Sequence, residues 1–459
     1  MNPNIFREYD IRGIADVDLV DETAVAVGRA FASHLIREGK KTVVVGRDVR
    51  LSSERIRNAL VKGIVQTGMN VIDVGVVPTP AQYFSIVHYG ADGGVMVTGS
   101  HNPIEYNGFK MSKGLAAVYG QEIQTLKQII DEQRFESGEG RVETRDVLPD
   151  YMKVLQEKTH ISRKLNIVID AGNGTGGMVA PELFKRLGCE VTCIYCEPDG
   201  HFPNHLPDPT VPKYVKDLQA KVTEMGADVG LGFDGDSDRV GVIDNKGRII
   251  YADKLLAIFA RDVLTRHPGA PIVFDVKCSQ ALPEVIRESG GKPVMWKTGH
   301  SLLKAKMKEL KAPLAGEMSG HMFFADDYYG FDDAFFAAGR LLQILSASRQ
   351  TLAEIHDSVP AFESTPEIRV ECSDETKFRI VAELVERFKR DYEVVDVDGA
   401  RVLFGDGWGL VRASNTQPVL VLRFEAKTQQ RLKEIIALFK QELRKYPSVH
   451  FTDEDFFGY

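Results

Sequence analysis

Short, mostly apolar runs recur along the chain, and each breaks into a polar, glycine-bearing loop. "KTVVVGRD" (41–48), "NIVIDAGNG" (166–174) and "PIVFDVKCS" (271–279) read as strands. Each leads into a stretch with helical spacing of apolar residues: "SSERIRNALVKGIVQTG", "MVAPELFKRLG" and "QALPEVIRESG". These stop on Gly68, Gly188 and Gly290, as a left-handed C-cap requires. A second strand follows ("NVIDVGV", "EVTCIYC", "KPVMWKTG"), then a third ("GGVMVTGSHNP", "ADVGLGFDGDSDR", "APLAGEMSGH"). The order strand, helix, strand, strand therefore occurs three times, with an amphipathic helix after each third strand, near 123–130, 255–264 and 334–345.

From about Ile368 the pattern changes to a strand, the helix "KFRIVAELVERFKR", several strands including "VLVLRFEA", and the closing helix "QRLKEIIALFKQEL". At 459 residues the chain is too long for one hydrophobic core. The pattern divides it into three similar α/β domains, 1–150, 151–253 and 254–365, and a smaller α+β domain, 366–459, with "PAFESTPEI" as linker and hinge.

Composition narrows the function. With 43% hydrophobic and 27% charged residues the chain is ordinary globular protein, and a net charge of -8 argues against nucleic-acid and membrane-surface partners while leaving room for a small anion in a basic cleft. The start, "MNPNIFREYDIRG", carries charge too early for an apolar signal segment, and no run approaches the ~20 apolar residues of a membrane helix, so a cytoplasmic location is expected. Five cysteines, an odd number, point to reduced thiols. Cys193 and Cys196 have zinc-like spacing but no second pair, so Cys189, Cys193 and Cys196 are expected to be buried strand thiols.

Ligands of open α/β sheets bind at the carboxyl ends of the strands. Here the third strands end at Thr98–Pro103, Asp234–Arg239 and Gly316–His321, and three units around one cleft would bring these loops together. "FDGDSDR" spaces Asp234, Asp236 and Asp238 by two around small residues, a set of hard oxygen ligands suited to Mg²⁺; as an EF-hand it fails, with Arg239 where glycine is needed and Asn245 where glutamate is needed. The alternative is an acidic turn, in which three close carboxylates repel. In "TGSHNP", Ser100 lacks the flanking glycines of a hydrolase elbow, and beside a dication and Lys110 it suits phosphoryl rather than acyl transfer, unless it merely turns the chain. "GEMSGH" offers Glu317, Ser319 and His321 to a polyol, and "RASNTQP" offers Arg412, Ser414, Asn415 and Thr416 to a phosphate. "FREYDIRG" adds Arg7 and Arg12, and "KTGH" adds Lys297 and His300; a solvated charge run and a polar loop are the plain alternatives.

Taken together, these motifs resemble the α-D-phosphohexomutase family, most closely its bacterial phosphomannomutase/phosphoglucomutase branch. The resemblance runs from "FREYDIRG" to "RASNTQPVLVLRFEA", nearly the whole chain, with the motifs in family order. It implies three like α/β domains and a TATA-binding-protein-like α+β domain around a central cleft. By motif position it implies that Ser100 is a phosphoserine and, with Asp234, Asp236 and Asp238, holds Mg²⁺. Glu317 and Ser319 would bind sugar hydroxyls, and Arg412, Ser414, Asn415 and Thr416 the non-reacting phosphate. Arg12, Lys110 and His300 match positions of proton transfer or charge stabilisation, and Tyr9, Arg239, Lys277 and His321 match other substrate-binding positions in the cleft. The implied reaction interconverts hexose 1- and 6-phosphates of mannose or glucose, with a hexose 1,6-bisphosphate as intermediate and activator. The partner is thus a small phosphosugar, and a monomer and a dimer are both compatible.

Phosphoglucosamine mutase is the alternative within the family. Met318 and Ser237 favour the glucose/mannose branch, since the glucosamine branch tends to carry Gln and Gly there. A phosphoserine phosphatase would have less need of the clamp at 412–416, and a non-catalytic sugar-phosphate binder has no use for a metal beside a serine.

Overall fold

The computed structural model describes residues 1–415 and 417–456. Four sheets appear in chain order, and the first three share one plan. In the first unit Asn70–Val76, Thr42–Arg47 and Gly93–Val97 run parallel in that order, with Tyr106–Lys113 antiparallel beside the last. The second unit repeats this with Glu190–Ile194, Asn166–Asp170, Val229–Phe233 and Val240–Asp244. The third does so with Lys292–Trp296, Pro271–Asp275, Leu314–Gly316 and Met322–Phe324. The third strands of units one and two, Gly93–Val97 and Val229–Phe233, are buried throughout, which is why they carry no polar side chain until they end.

The order expected from the pattern needs one correction. A second helix lies between the second and third strands of each unit: Thr79–His88, Lys216–Met225 and His300–Leu310. Topology demands it, because those strands flank the first strand in parallel and the chain must cross the sheet to join them. The first of these helices hides from periodicity because Thr79 to Ile86 are all buried, leaving no polar stripe to mark it.

Units two and three interlock. Helix Ala252–Arg266, which follows the second sheet, packs on Ala281–Glu288 and strand Leu314–Gly316 of the third. Helix Ala334–Ala347, which follows the third sheet, packs back on Val240–Asp244 of the second, and Phe335 meets Phe233 with ring centroids 5.1 Å apart. One apolar core runs through both units and takes in Phe84 and Tyr151. The division at 253/254 falls inside the helix Ala252–Arg266.

The last unit is an antiparallel sheet with Ala400–Leu403, Gly407–Ala413, Val419–Ala426 and Ile368–Cys372 at its centre. Strand periodicity sorts its residues. Val402, Val411, Leu422 and Phe424 join helices Lys377–Phe388 and Gln429–Leu443 in one core. Arg401, Trp408, Arg423 and Glu425 fall on the opposite face, against unit three. Arg401 donates to the carbonyls of Val276 (2.6 Å) and Cys278 (2.7 Å), Arg423 donates to that of Lys277, and Glu425 accepts from Gln280 N (2.8 Å). The expected linker is partly sheet, for Glu363–Ser364 pairs with Val419–Ala426. Among the described residues, no helix is long and apolar enough to cross a membrane.

Candidate active site

Where the strand Gly93–Val97 ends, its neighbour Thr42–Arg47 ends beside it and delivers Asp48 and Arg50. Asp48 accepts from Thr98 Oγ1 (2.8 Å) and Gly99 N (3.1 Å). The Arg50 guanidinium, 2% exposed as a residue, donates to four carbonyls of the following loop: Ser100 (2.9 Å), Asn102 (2.6 Å), Pro103 (2.8 Å) and Tyr106 (2.9 Å). Held this way, Ser100 adopts φ 49°, a left-handed conformation that costs a non-glycine residue about 1 kcal/mol or more. Residue 99 has to be small, because a Cβ there would lie 2.4 Å from Arg50 Nε.

The metal-type loop of unit two meets this serine. Ser100 Oγ donates to Asp234 Oδ2 at 2.9 Å, and a Cβ on Gly235 would lie 2.4 Å from the Ser100 carbonyl oxygen, so only glycine permits the approach. Asp236 accepts at Oδ2 from Thr79 Oγ1 (2.5 Å) and Lys110 Nζ (2.7 Å), and Lys110 also reaches Asp238 Oδ2 at 2.5 Å. Asp234, Asp236 and Asp238 are fully buried and offer oxygens within 4.8 Å of one another. Burial first, then the charges of Asp238 and Asp236, hold the Asp234 carboxyl well above the usual carboxylate range. Burial would lower Lys110, but Asp236 and Asp238 outweigh it and keep the ammonium charged. Among the described residues, Asp236 Oδ1 and Asp238 Oδ1 are buried without a hydrogen-bond partner. Two orphaned carboxylate oxygens and one carboxyl forced up by burial and its neighbours are what a set of hard ligands shows when a dication belongs among them.

Unit three closes the other side. Arg239 Nε donates to His321 Nε2 at 3.0 Å, and His321 Nδ1 lies 3.0 Å from Asp332 Oδ2. Asp332 accepts from Lys304 Nζ at 2.9 Å and lies 3.7 Å from His300 Nδ1. The rings of His300 and His321 stack with centroids 5.3 Å apart. Burial and then Lys304 push His300 well below the ordinary histidine range, leaving it neutral. Arg12 pairs with Asp10, and its charge acts on His101 beside Ser100.

The sugar-type and phosphate-type residues gather where units one, three and four meet. Tyr9 OH donates to the Thr298 carbonyl (2.8 Å) and accepts from Asn415 Nδ2 (2.5 Å), while Gly299 N donates to Glu317 Oε1 (3.0 Å). Gly299, at φ 132°, leaves room for the Tyr9 ring, which a Cβ would approach to 2.7 Å. Asp398 accepts from Thr298 N and Arg412 Nε, both at 3.0 Å, and Lys277 pairs with Glu367 at 3.1 Å. Ser414 Oγ accepts from Gln417 N (3.1 Å). Ser319 Oγ is buried without a partner among the described residues. Thr416 lies outside the described residues.

Ser100, Lys110, Asp234, Asp236, Asp238, Arg239, His300 and His321 thus form one connected group across three units, with Tyr9 and Glu317 at its border and Lys277, Arg412 and Asn415 on the fourth unit's side. Reading the sequence missed Asp48, Arg50, Thr79, Lys304 and Asp332. "GRDVR" at a strand end signalled the first two, whereas the others are single polar residues in helices or an acidic pair, with nothing local to mark them.

Four family models cover the chain: phosphoglucomutase/phosphomannomutase α/β/α domain I over residues 3–137, domain II over 149–247, domain III over 251–362 and the C-terminal domain over 367–441. A phosphomannomutase/phosphoglucomutase of Pseudomonas aeruginosa is 48% identical over 450 residues, 97% of this chain and 96% of that protein. A phosphoglucomutase of Neisseria gonorrhoeae is 44% identical over 449 residues, 97% of each chain. The crystal structure of a phosphoglucomutase/phosphomannomutase family protein from Burkholderia thailandensis superposes with a TM-score of 0.92 at 44% identity, over 98% of this chain and 100% of that one.

Proposed function

The chain belongs to the phosphoglucomutase/phosphomannomutase family and interconverts hexose 1-phosphates and hexose 6-phosphates, and we propose that it does so through a phosphoryl group carried on Ser100. The observation that carries this reading is the 2.9 Å hydrogen bond between Ser100 Oγ and Asp234, which puts the serine among three buried carboxylates.

In the proposed reaction a free sugar hydroxyl attacks the phosphorus on Ser100. The Ser100 Oγ–P bond breaks as the new O–P bond forms, the hydroxyl proton passes to a base, and the sugar becomes a 1,6-bisphosphate. The bisphosphate turns end for end and its other phosphate returns to Ser100. The electrostatics divide the labour. Lys110, held charged by Asp236 and Asp238, balances phosphoryl charge but cannot take a proton. His300, held neutral, can take the hydroxyl proton, and Arg12 contributes positive charge. Asp234, Asp236 and Asp238 with the substituted Ser100 would hold Mg²⁺, which when bound supplies charge neutralisation at the transferring group. Glu317, Ser319 and His321 meet sugar hydroxyls. Tyr9, Lys277, Arg239, Arg412, Ser414, Asn415 and Thr416 hold the sugar and its distal phosphate, a separate clamp that lets either orientation bind.

The test is a ³¹P NMR time course with Mg²⁺, a trace of glucose 1,6-bisphosphate, and mannose or glucose 1-phosphate. Growth of a 6-phosphate signal that Ser100→Ala abolishes supports the reading; release of inorganic phosphate, or turnover by the alanine variant, refutes it.

A further inference from the structure

The cysteines of unit two do not all sit where strand burial would put them. Cys189 is buried, but Cys193 is exposed on Glu190–Ile194, the edge strand of its sheet, and Cys196 is half-buried just past the strand end. Between them Tyr195 takes φ 52°, a left-handed turn that leaves the two thiols close enough to influence each other, while Cys196 Sγ donates to the carbonyls of Ile194 (3.5 Å) and Ile169 (3.9 Å). The turn is anchored from the inside. Asn173 donates from N to the Tyr195 carbonyl (2.7 Å) and from Nδ2 to the Glu197 carbonyl (2.8 Å), and the Cys196 carbonyl packs over Gly177, where a Cβ would come within 1.8 Å. The backbone of the turn is thus fixed, with one thiol open to solvent and the other half-buried. No residue of the phosphoryl-transfer site takes part.

The chemistry of the two sulfurs differs in the way a dithiol pair needs. The neighbouring Cys196 thiol is the largest influence on Cys193 and, with Lys185 nearby, brings its thiol down to about 7. Cys196, beside Cys193 and half-buried, is pushed up. An exposed thiol that ionises near neutrality with a second, protonated thiol behind it is the arrangement of disulfide-exchanging Cys-x-x-Cys pairs.

We propose that Cys193 and Cys196 are a reversible disulfide site that reacts with low-molecular-weight disulfides, with Cys193 as the attacking sulfur. The Cys193 thiolate attacks one sulfur of oxidised glutathione, forming a mixed disulfide and expelling one glutathione thiolate. Cys196 then gives up its proton and attacks the Cys193 sulfur, closing the protein disulfide and expelling the second glutathione. Two protein thiols are oxidised and one glutathione disulfide is reduced to two thiols.

The test uses the full-length protein and intact-mass and peptide mass spectrometry after incubation with oxidised glutathione. The wild type is expected to lose two hydrogen atoms, with the new bond mapped to Cys193 and Cys196 and reversed by dithiothreitol. Cys196→Ser should stop at a glutathione adduct on Cys193, and Cys193→Ser should give neither product. In unoxidised wild type at pH 7, iodoacetamide should modify Cys193 roughly threefold faster than free cysteine, the gain in thiolate exceeding the loss of nucleophilicity. A lasting glutathione adduct on wild-type Cys193, a bond to another cysteine, or equal alkylation of Cys193 and Cys196 would overturn the proposal.

Discussion

Ser100 Oγ and Asp234 Oδ2 stand 2.9 Å apart although 134 positions separate them in the chain. The contact joins units one and two, and removing the serine hydroxyl should leave the surrounding loops intact, because Arg50 and Asp48 hold them through backbone and Thr98 contacts. Ser100→Ala is therefore expected to lose at least about a thousandfold in kcat with an unchanged circular dichroism spectrum.

Lys110 is the cation that the buried carboxylates now share. Lys110→Met should destabilise the metal-free protein by about 3 to 5 kcal/mol, since breaking a buried pair leaves its charge uncompensated. Added Mg²⁺ should then raise the melting temperature of the variant more than that of the wild type. Equal shifts in calorimetry would show that the metal does not go to these carboxylates.

Gly235 faces the Ser100 carbonyl without room for a Cβ. Gly235→Ala should cost about 1 to 3 kcal/mol of stability by overpacking. It should cost turnover out of proportion to that, because what must move is the serine loop. Comparing kcat with the urea midpoint separates the two effects.

Arg50 satisfies four loop carbonyls with one planar guanidinium. A lysine has three donors on a single nitrogen and cannot reproduce that span. Arg50→Lys should keep the fold, lower kcat by roughly tenfold or more, and leave KM nearly unchanged, as steady-state kinetics would reveal.

His205 offers a pH-dependent test. Its Nδ1 lies 2.8 Å from the Leu206 carbonyl and its Nε2 3.0 Å from Asp170, so the doubly protonated ring satisfies both acceptors. Burial opposes the charge, but Asp170 outweighs it and the net shift is upward. A raised histidine contributes stability fully below the ordinary histidine range and loses it as pH rises through the folded value. His205→Gln should thus lower the melting temperature clearly at pH 6 and much less at pH 9.

Much of this candidate site could be read from the chain because polar residues stand in it where apolar ones are the rule. Ser100 and the aspartates at 234, 236 and 238 each follow a fully buried strand, and that abrupt change marked them. Asp332 gave no such signal, for an acidic residue ahead of a helix reads as a cap, a role its neighbour Asp333 does fill by accepting from Phe335 N and Phe336 N. Lys304 looked like any basic residue on a surface helix, and only the packing of that helix against Tyr83 and Asp332 buries its ammonium. The crossover helix at Thr79–His88 stayed hidden for the opposite reason, being buried from Thr79 through Ile86, polar residues included.

The helices that units two and three trade, Ala252–Arg266 and Ala334–Ala347, turn two look-alike repeats into dependants of each other. Neither could be excised with its own sequence neighbours and keep its apolar face covered. Heat should therefore melt the pair in a single step, so that a lesion in the metal-type loop's half is felt at once in the sugar-type loop's half.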